Sequence, residues 1–314
     1  MGIFDLFKPS PEELKAKEDA ARAQVFIENK EWDQVVEIGK PAVKPLISCL
    51  KDNYALDIVI PATRTLGRIG NANAINQLQY FYQRGTLPEP LSIEPTGYDW
   101  DYYNALMPIV AEALTNIGKS DVEQITKFVK KDECLFLDGI PFIWALCEIG
   151  DRKATEDVIR WMFRVEPNAP ILSFGTPLLY QEKLLSHSDI IRKCIPPTVL
   201  PKLLGDYSDL ILDTFAWELV SFSGEPDSLQ VDTSRCNGAI QRLCEIKTPI
   251  SNNILLMISK IDKFNVGYQH GTHESETAYV DFKPFQQMTK EELKSRGNPS
   301  YNPSAYLEEE VWKL

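Results

Sequence analysis

Histidine and paired cysteines are scarce in this 314-residue chain, which limits the chemistry it can support. There are 3 His and 6 Cys, and no two cysteines form a Cys-x-x-Cys motif. Zinc sites need three or four convergent ligands, and dithiol redox centres need paired thiols. The sequence therefore predicts no metal site and no cofactor. The cysteines are expected to be buried, reduced thiols of a cytoplasmic protein.

One group of residues resembles a ligand set, but the sequence around it gives no rigid support. His270 and His273 lie close to Glu274 and Glu276 in a polar stretch. A metal site would need these side chains to converge on one point. We therefore expect 267–275 to be a solvated loop without metal.

The chain also lacks long apolar runs and an excess of basic residues. No run approaches the ~20 apolar residues of a membrane-spanning helix. The first eight residues include Asp5 and are too short for a secretory signal. Lys and Arg number 33 against 45 Asp and Glu, a formal charge of −12. This balance argues against nucleic-acid binding and favours a protein partner with a basic surface.

Motifs for catalysis are missing as well. Gly67-Arg68-Ile69-Gly70 follows a predicted helix, whereas phosphate-binding glycine loops follow a strand. His187 and Asp189 lie next to Ser186 and Ser188, and side chains of adjacent residues cannot form a Ser-His-Asp triad. No catalytic residues are predicted, and a non-catalytic role is favoured.

What the sequence does contain is a repeat. Leu-x-x-Ile-Gly occurs at 66–70, 114–118 and 146–150, and Ile38-Gly39 is a partial copy. The glycines are 31, 48 and 32 residues apart, the longer interval holding an insertion. Each glycine is followed by apolar residues at helical spacing, so helix pairs must stack to bury them. The glycines are predicted to end helices in a left-handed conformation, with Asn71, Ser120 and Asp151 as caps of the next helix.

The repeat resembles HEAT repeats of the phycobilisome-lyase type over roughly residues 33–163. The similarity lies in Pro41-Ala42-Val43-Lys44-Pro45-Leu46-Ile47 and in Ala62 with Leu66-Gly67-Arg68-Ile69-Gly70. It implies an all-α fold, an α-solenoid (superhelix) of antiparallel HEAT-like helix pairs. The usual arginine of such repeats is replaced at three positions, and prolines lie nearby. The replacements are Val59, Met107 and Gly139, and the prolines are Pro61, Pro108 and Pro141.

Three regions are expected along the chain. Residues 1–30 would form an apolar lead-in and a capping helix that starts after Ser10. Residues 31–264 would form the solenoid, with an insertion at 84–103. Helices are predicted at 199–206, 210–222 and 250–264. Residues 265–314 would be a partly irregular extension with a short helix at 288–296 that Thr289 caps. The tail is expected either to be disordered or to pack along the solenoid through Tyr301, Tyr306, Val311 and Trp312.

The strongest binding candidate is the acidic and aromatic end of the insertion, because tyrosine and tryptophan are frequent in interface hot spots. It consists of Tyr98, Asp99, Trp100, Asp101, Tyr102 and Tyr103. The rings could instead fix the insertion onto adjacent helices. Arg64 and Arg68 are candidates on the concave face, unless they pair locally.

Together these features predict a scaffold or adaptor that binds another protein through its concave face and the 84–103 insertion. The HEAT resemblance implies one alternative, a bilin lyase-like factor that attaches or chaperones a chromophore, with Arg64 and Arg68 clamping the pigment. A HEAT-type DNA glycosylase is disfavoured by the negative charge. The sequence leaves the oligomeric state open.

Overall fold

Helices dominate the architecture. The computed structural model describes residues 10–53, 55–83, 100–130, 136–165, 187–216, 218–221, 229–261, 263–270, 274–308 and 312–313. These contain fifteen α-helices: α1 Pro11–Glu28, α2 Trp32–Ile38, α3 Val43–Asp52, α4 Leu56–Ile69, α5 Ile75–Gln83, α6 Trp100–Gly118, α7 Val122–Val129, α8 Phe136–Ile149, α9 Thr155–Val165, α10 His187–Cys194, α11 Leu200–Leu204, α12 Tyr207–Asp213, α13 Ser234–Glu245, α14 Pro249–Ile258 and α15 Lys283–Ser295. In the described part of the chain, no helix combines the length and apolar character needed to cross a bilayer.

The first helix begins as the sequence predicts. The Ser10 hydroxyl accepts a hydrogen bond from the Glu13 N–H, and the Glu13 carboxylate accepts one from the Ser10 N–H. This reciprocal arrangement satisfies two N–H groups that a helix start leaves without partners. α1 packs on α2 and α3, and its Ala23 and Ile27 are buried.

Two repeat glycines end their helices in the predicted way. Gly70 follows α4 at φ 70° and ψ 24°, and Gly150 follows α8 at φ 71°. Gly118 differs, because it is the last residue of α6 and has no positive φ. A Cβ at Gly118 would meet the Cδ1 atoms of Ile125 and Ile149, so these two side chains would have to shift to accept it.

The predicted caps are correct at two of three positions. Asn71 and Asp151 accept hydrogen bonds from the N–H groups of Asn73 and Lys153, at the start of short 3-10 turns before α5 and α9. Ser120 is not a cap, since its hydroxyl donates back to the Ile117 carbonyl and Asp121 precedes α7.

The core runs through a row of packed helices. α4 contacts α6, α6 contacts α8, and α8 contacts α11, while α5, α7 and α9 pack against the same row. α4 and α6 approach closely at Gly67, where a Cβ would lie 2.6 Å from the Ala113 Cα in α6. Pro61, Pro108 and Pro141 lie inside α4, α6 and α8.

The predicted helical class describes most of the chain, but the second half also contains strands, which corrects the strictly all-α expectation. Among the described residues, β1 (Glu218–Ser221) pairs antiparallel with β2 (Leu229–Asp232), and β3 (Lys263–His270) with β4 (Glu274–Asp281). The predicted helix at 210–222 ends at Asp213, and the one predicted at 250–264 ends at Ile258. Apolar or aromatic residues at 264, 266 and 268 alternate with polar or small ones, which is the period of a strand.

In the region after the second hairpin, the described residues agree with the second of the two alternatives for the tail, packing along the helices. α15 begins at Lys283, five residues before the predicted start, and Thr289 lies within it, donating to the Gln286 carbonyl rather than capping the helix. Tyr306 and Trp312 are buried, and Tyr301 is half-buried, so this segment packs along the helices. Val311 lies outside the described residues.

The left-handed cap at Gly70 leads to a paired prediction. Gly70→Ala should destabilise the protein by about 1 kcal/mol, because a Cβ disfavours the left-handed conformation. Gly238→Ala is the matched control: Gly238 lies inside α13, and a methyl group added there would have no heavy atom of another residue within 4 Å. That change should stabilise by about 0.5–1 kcal/mol. Urea unfolding measures the change in the free energy of unfolding for each variant. Equal changes in the two variants would contradict a left-handed cap at Gly70.

Candidate functional site

A groove runs along α4 in the described part of the chain. Its volume is about 480 Å³. Below it is called the α4 groove, and it is lined by Trp32, Leu56, Asp57, Ile60, Pro61, Arg64, Thr65 and Arg68. All but Trp32 come from α4, and Trp32 is the first residue of α2, which packs on α4.

Helical spacing explains why these residues share one face. Leu56, Ile60, Arg64 and Arg68 follow one another at intervals of four. Asp57, Pro61 and Thr65 form a second series with the same interval. Leu56, Ile60 and Pro61 are half-buried, whereas Val59, Ala62 and Leu66 on the inner face of α4 are fully buried. The groove floor is therefore apolar surface that folding leaves accessible.

Charged residues form the rim, and each is held in an exposed ion pair. Arg64 Nε lies 3.3 Å from Glu112 Oε2, and Arg68 Nη1 lies 2.6 Å from Asp33 Oδ1. Lys30 Nζ donates to Asp57 Oδ2 at 2.7 Å. The predicted alternative for the two arginines, local pairing, is thus observed, and both also line the groove.

The Lys30 ammonium changes the pKa of one carboxyl group on the rim, that of Asp57. Its hydrogen bond and charge lower the pKa of Asp57 below the ordinary value. Because the folded pKa is depressed, the pair stabilises the fold at neutral pH. That contribution fades as pH falls through the folded pKa of Asp57.

Lys30→Met should therefore raise the pKa of Asp57 toward its ordinary value. A carboxyl-detected NMR titration of wild type and variant would measure the shift. The matched control is Lys127→Met, which removes another exposed lysine paired with a carboxylate, Glu123. An Asp57 pKa that responds equally to both changes would contradict a local effect of Lys30.

The acidic and aromatic cluster predicted from the sequence is only partly described. Tyr98 and Asp99 lie outside the described residues, as does most of the insertion, 84–99. Trp100, Asp101, Tyr102 and Tyr103 belong to the first turn of α6, so the helix starts inside the predicted insertion. Tyr102 is buried at 8% exposure, which matches the alternative that the rings pack on adjacent helices.

Three of the four ligand-like residues, His270, Glu274 and Glu276, lie in paired strands and not in the predicted loop. His270 ends β3 and is paired in register with Glu274 in β4, while Tyr268 is opposite Glu276. His273 lies outside the described residues. Among side chains that are described, no group of three or more His, Cys, Asp or Glu is arranged to hold a metal ion.

Sequence reasoning identifies the two arginines but misses the groove floor. Trp32, Leu56 and Ile60 resemble ordinary apolar positions of a helix stripe, and helical period alone does not reveal which flank a neighbouring helix covers. The sequence does contain one signal of the groove floor, which is the width of the apolar stripe on α4. Leu56 and Ile60 extend it beyond the fully buried positions, toward the side where Arg64 and Arg68 lie.

Comparison with protein-family models found none that matches this chain, and comparison with curated proteins found no match either. The side chains of the groove are therefore the basis for assigning a function.

Proposed function

We propose that this protein is a non-catalytic scaffold or adaptor, a HEAT-like solenoid that holds a segment of another protein in the α4 groove. The observation that carries the proposal is an apolar floor left accessible within a charged rim. Interface hot spots combine such apolar pockets with tryptophan and arginine. Trp32, Arg64 and Arg68 supply both residue types at one site.

The arrangement of helices supports the solenoid part of the proposal. α4, α6, α8 and α11 pack successively, and α4, α6 and α11 each have exposed residues on one side. Stacked helix pairs create extended binding surfaces in repeat proteins. Five cysteines in the described residues are free thiols, which supports a reducing, cytoplasmic location.

Ile60→Glu tests the groove directly. A buried carboxylate on the floor would oppose an apolar ligand, so partner recovery in a pull-down should fall at least tenfold. Val25→Glu is the matched control, since Val25 is an exposed apolar residue of α1, 52% accessible, outside the groove.

Partners are identified by mass spectrometry from the three baits, wild type, Val25→Glu and Ile60→Glu, and thermal unfolding checks that each variant is folded. The proposal requires proteins that wild type and Val25→Glu recover but Ile60→Glu loses. Equal recovery by all three baits rejects the groove as the binding site.

The two arginines favour a second candidate, a bilin lyase-like or chromophore-chaperone factor. Arg64 and Arg68 line a groove with an apolar floor, an environment suited to a linear tetrapyrrole that carries carboxylates. Titration with a bilin should then shift its visible absorbance, and Arg64→Ala with Arg68→Ala should remove the shift. An unchanged spectrum with wild type excludes this candidate.

A further inference from the structure

Charge is distributed unevenly along the α4 groove. Asp57 lies near the N-terminal end of α4, whereas Arg64 and Arg68 lie toward its C-terminal end, with Ile60 and Pro61 between them. At the rise of an α-helix, Asp57 and Arg68 are separated by about 16 Å along the axis. The lining side chains are therefore acidic at one end, apolar in the middle and basic at the other end, and each of these charges also has a partner of opposite sign outside the lining.

The residues that pair with the rim belong to other elements and lie outside the groove lining. Glu112 comes from α6, Asp33 from α2, and Lys30 from the turn before α2. All three pairs are exposed; for example, the side chains of Arg68 and Asp33 are 51% and 85% accessible. Exposed pairs contribute little to stability and are screened by solvent, so a ligand can replace them at small cost.

The arginines retain hydrogen-bonding capacity for such a ligand. The ion pair of Arg64 uses Nε, and that of Arg68 uses Nη1. A guanidinium carries five N–H donors in a planar fork and can bind a carboxylate with two of them. Two guanidiniums one helical turn apart can thus hold two carboxylates, or one carboxylate from both sides.

From this we infer which partner segment the groove takes, a deepening that rests on the proposed function. The occupant is an amphipathic segment of a partner protein with an apolar stretch next to acidic residues, its acidic end over Arg64 and Arg68. Apolar side chains fill the floor between Trp32 and Ile60. Charge complementarity at the two ends fixes the direction in which the segment lies, because the reversed placement brings carboxylates against Asp57.

A peptide array tests this chemistry without knowledge of the natural partner. Each of many amphipathic cores is synthesised in three versions that differ at one end only, with a short run of Glu, of Gln or of Lys. Binding is measured with wild type, with Ile60→Glu, and with the double variant Arg64→Glu/Arg68→Glu. The matched control for net charge is Arg22→Glu/Arg242→Glu, which reverses two exposed arginines elsewhere.

For wild type and the control, the Glu versions should bind at least tenfold more tightly than the Lys versions, with Gln between. The double variant should invert that order, and Ile60→Glu should weaken all three. If the three versions bind wild type equally and Ile60→Glu still abolishes binding, the groove binds peptides but the inferred charge preference is wrong. If no peptide binds wild type better than Ile60→Glu, the groove function itself is overturned.

Discussion

Trp312→Ala is expected to lower the free energy of unfolding by about 3–5 kcal/mol, the usual cost of truncating a buried tryptophan. Trp312 is only 1% exposed. Its ring lies under the Arg152 guanidinium, 5.1 Å from ring to cation, and meets the Tyr207 ring edge-on at 5.8 Å. Its carbonyl also accepts a hydrogen bond from the Asp206 N–H.

These contacts join a segment far along the chain to the turn before α9 and to the start of α12, so the alanine variant should lose packing at both places. Trp312→Phe should cost less than alanine, because the phenyl ring keeps much of the packing and loses the indole N–H bond to the Tyr306 carbonyl. Lys313→Ala, at the exposed neighbouring position, is the control and should change stability by less than about 0.5 kcal/mol. Chemical unfolding followed by circular dichroism measures all three. A Trp312→Ala protein as stable as the Lys313 control would show that this segment does not dock as described.

Arg296→Ala is the second large expected effect, about 3–5 kcal/mol, as found when one partner of a buried charged network is removed. The Arg296 side chain is 7% exposed. Its guanidinium donates to five groups on α13, α14 and α15, so it joins three helices. These groups are the Glu292 carboxylate, the Ser251 hydroxyl, the Asn252 side-chain carbonyl and the backbone carbonyls of Leu243 and Cys244.

Two backbone carbonyls at the end of α13 would lose their donor in the alanine variant, and buried acceptors without partners are costly. Arg296→Lys should recover only part of the loss, because an ammonium cannot reproduce the planar fork. Arg242→Ala is the matched control: it removes an exposed arginine of α13 that pairs with Glu245 at the surface, and it should be nearly neutral. Urea unfolding measures each variant, and comparable losses for Arg296→Ala and Arg242→Ala would contradict the network.

The helices of the first half are predictable because the repeated Leu-x-x-Ile-Gly motif indicates where several of them end. Helical spacing of apolar residues locates α3 to α9, and glycine identifies the left-handed caps at Gly70 and Gly150. The helices of the second half are harder to delimit. Between 213 and 281, short helices alternate with pairs of strands. Phe264, the second residue of β3, resembles a continuation of the apolar pattern of α14.

The candidate site is predictable in its charges but not in its shape. Arg64 and Arg68 stand out as basic residues one turn apart in a repeat helix. Ile60 remains partly accessible while Val59 is buried, and this difference depends on where α2 and α6 lie beside α4. A single sequence does not specify where these neighbouring helices lie. The sequence leaves Tyr102 open between two predictions, a binding site or packing on adjacent helices, and its burial agrees with the second.

The contact between Gly67 and Ala113 has a consequence for the geometry of α4 and α6. The backbones of α4 and α6 touch here without intervening side chains, and the helices before α4 join those after α6 across this seam. A methyl group at position 67 would lie 2.6 Å from the Ala113 Cα, so α4 and α6 would have to move apart to accept it. The missing side chain at residue 67 thus permits the close approach of α4 and α6, the same two helices that Arg64 and Glu112 join through their ion pair.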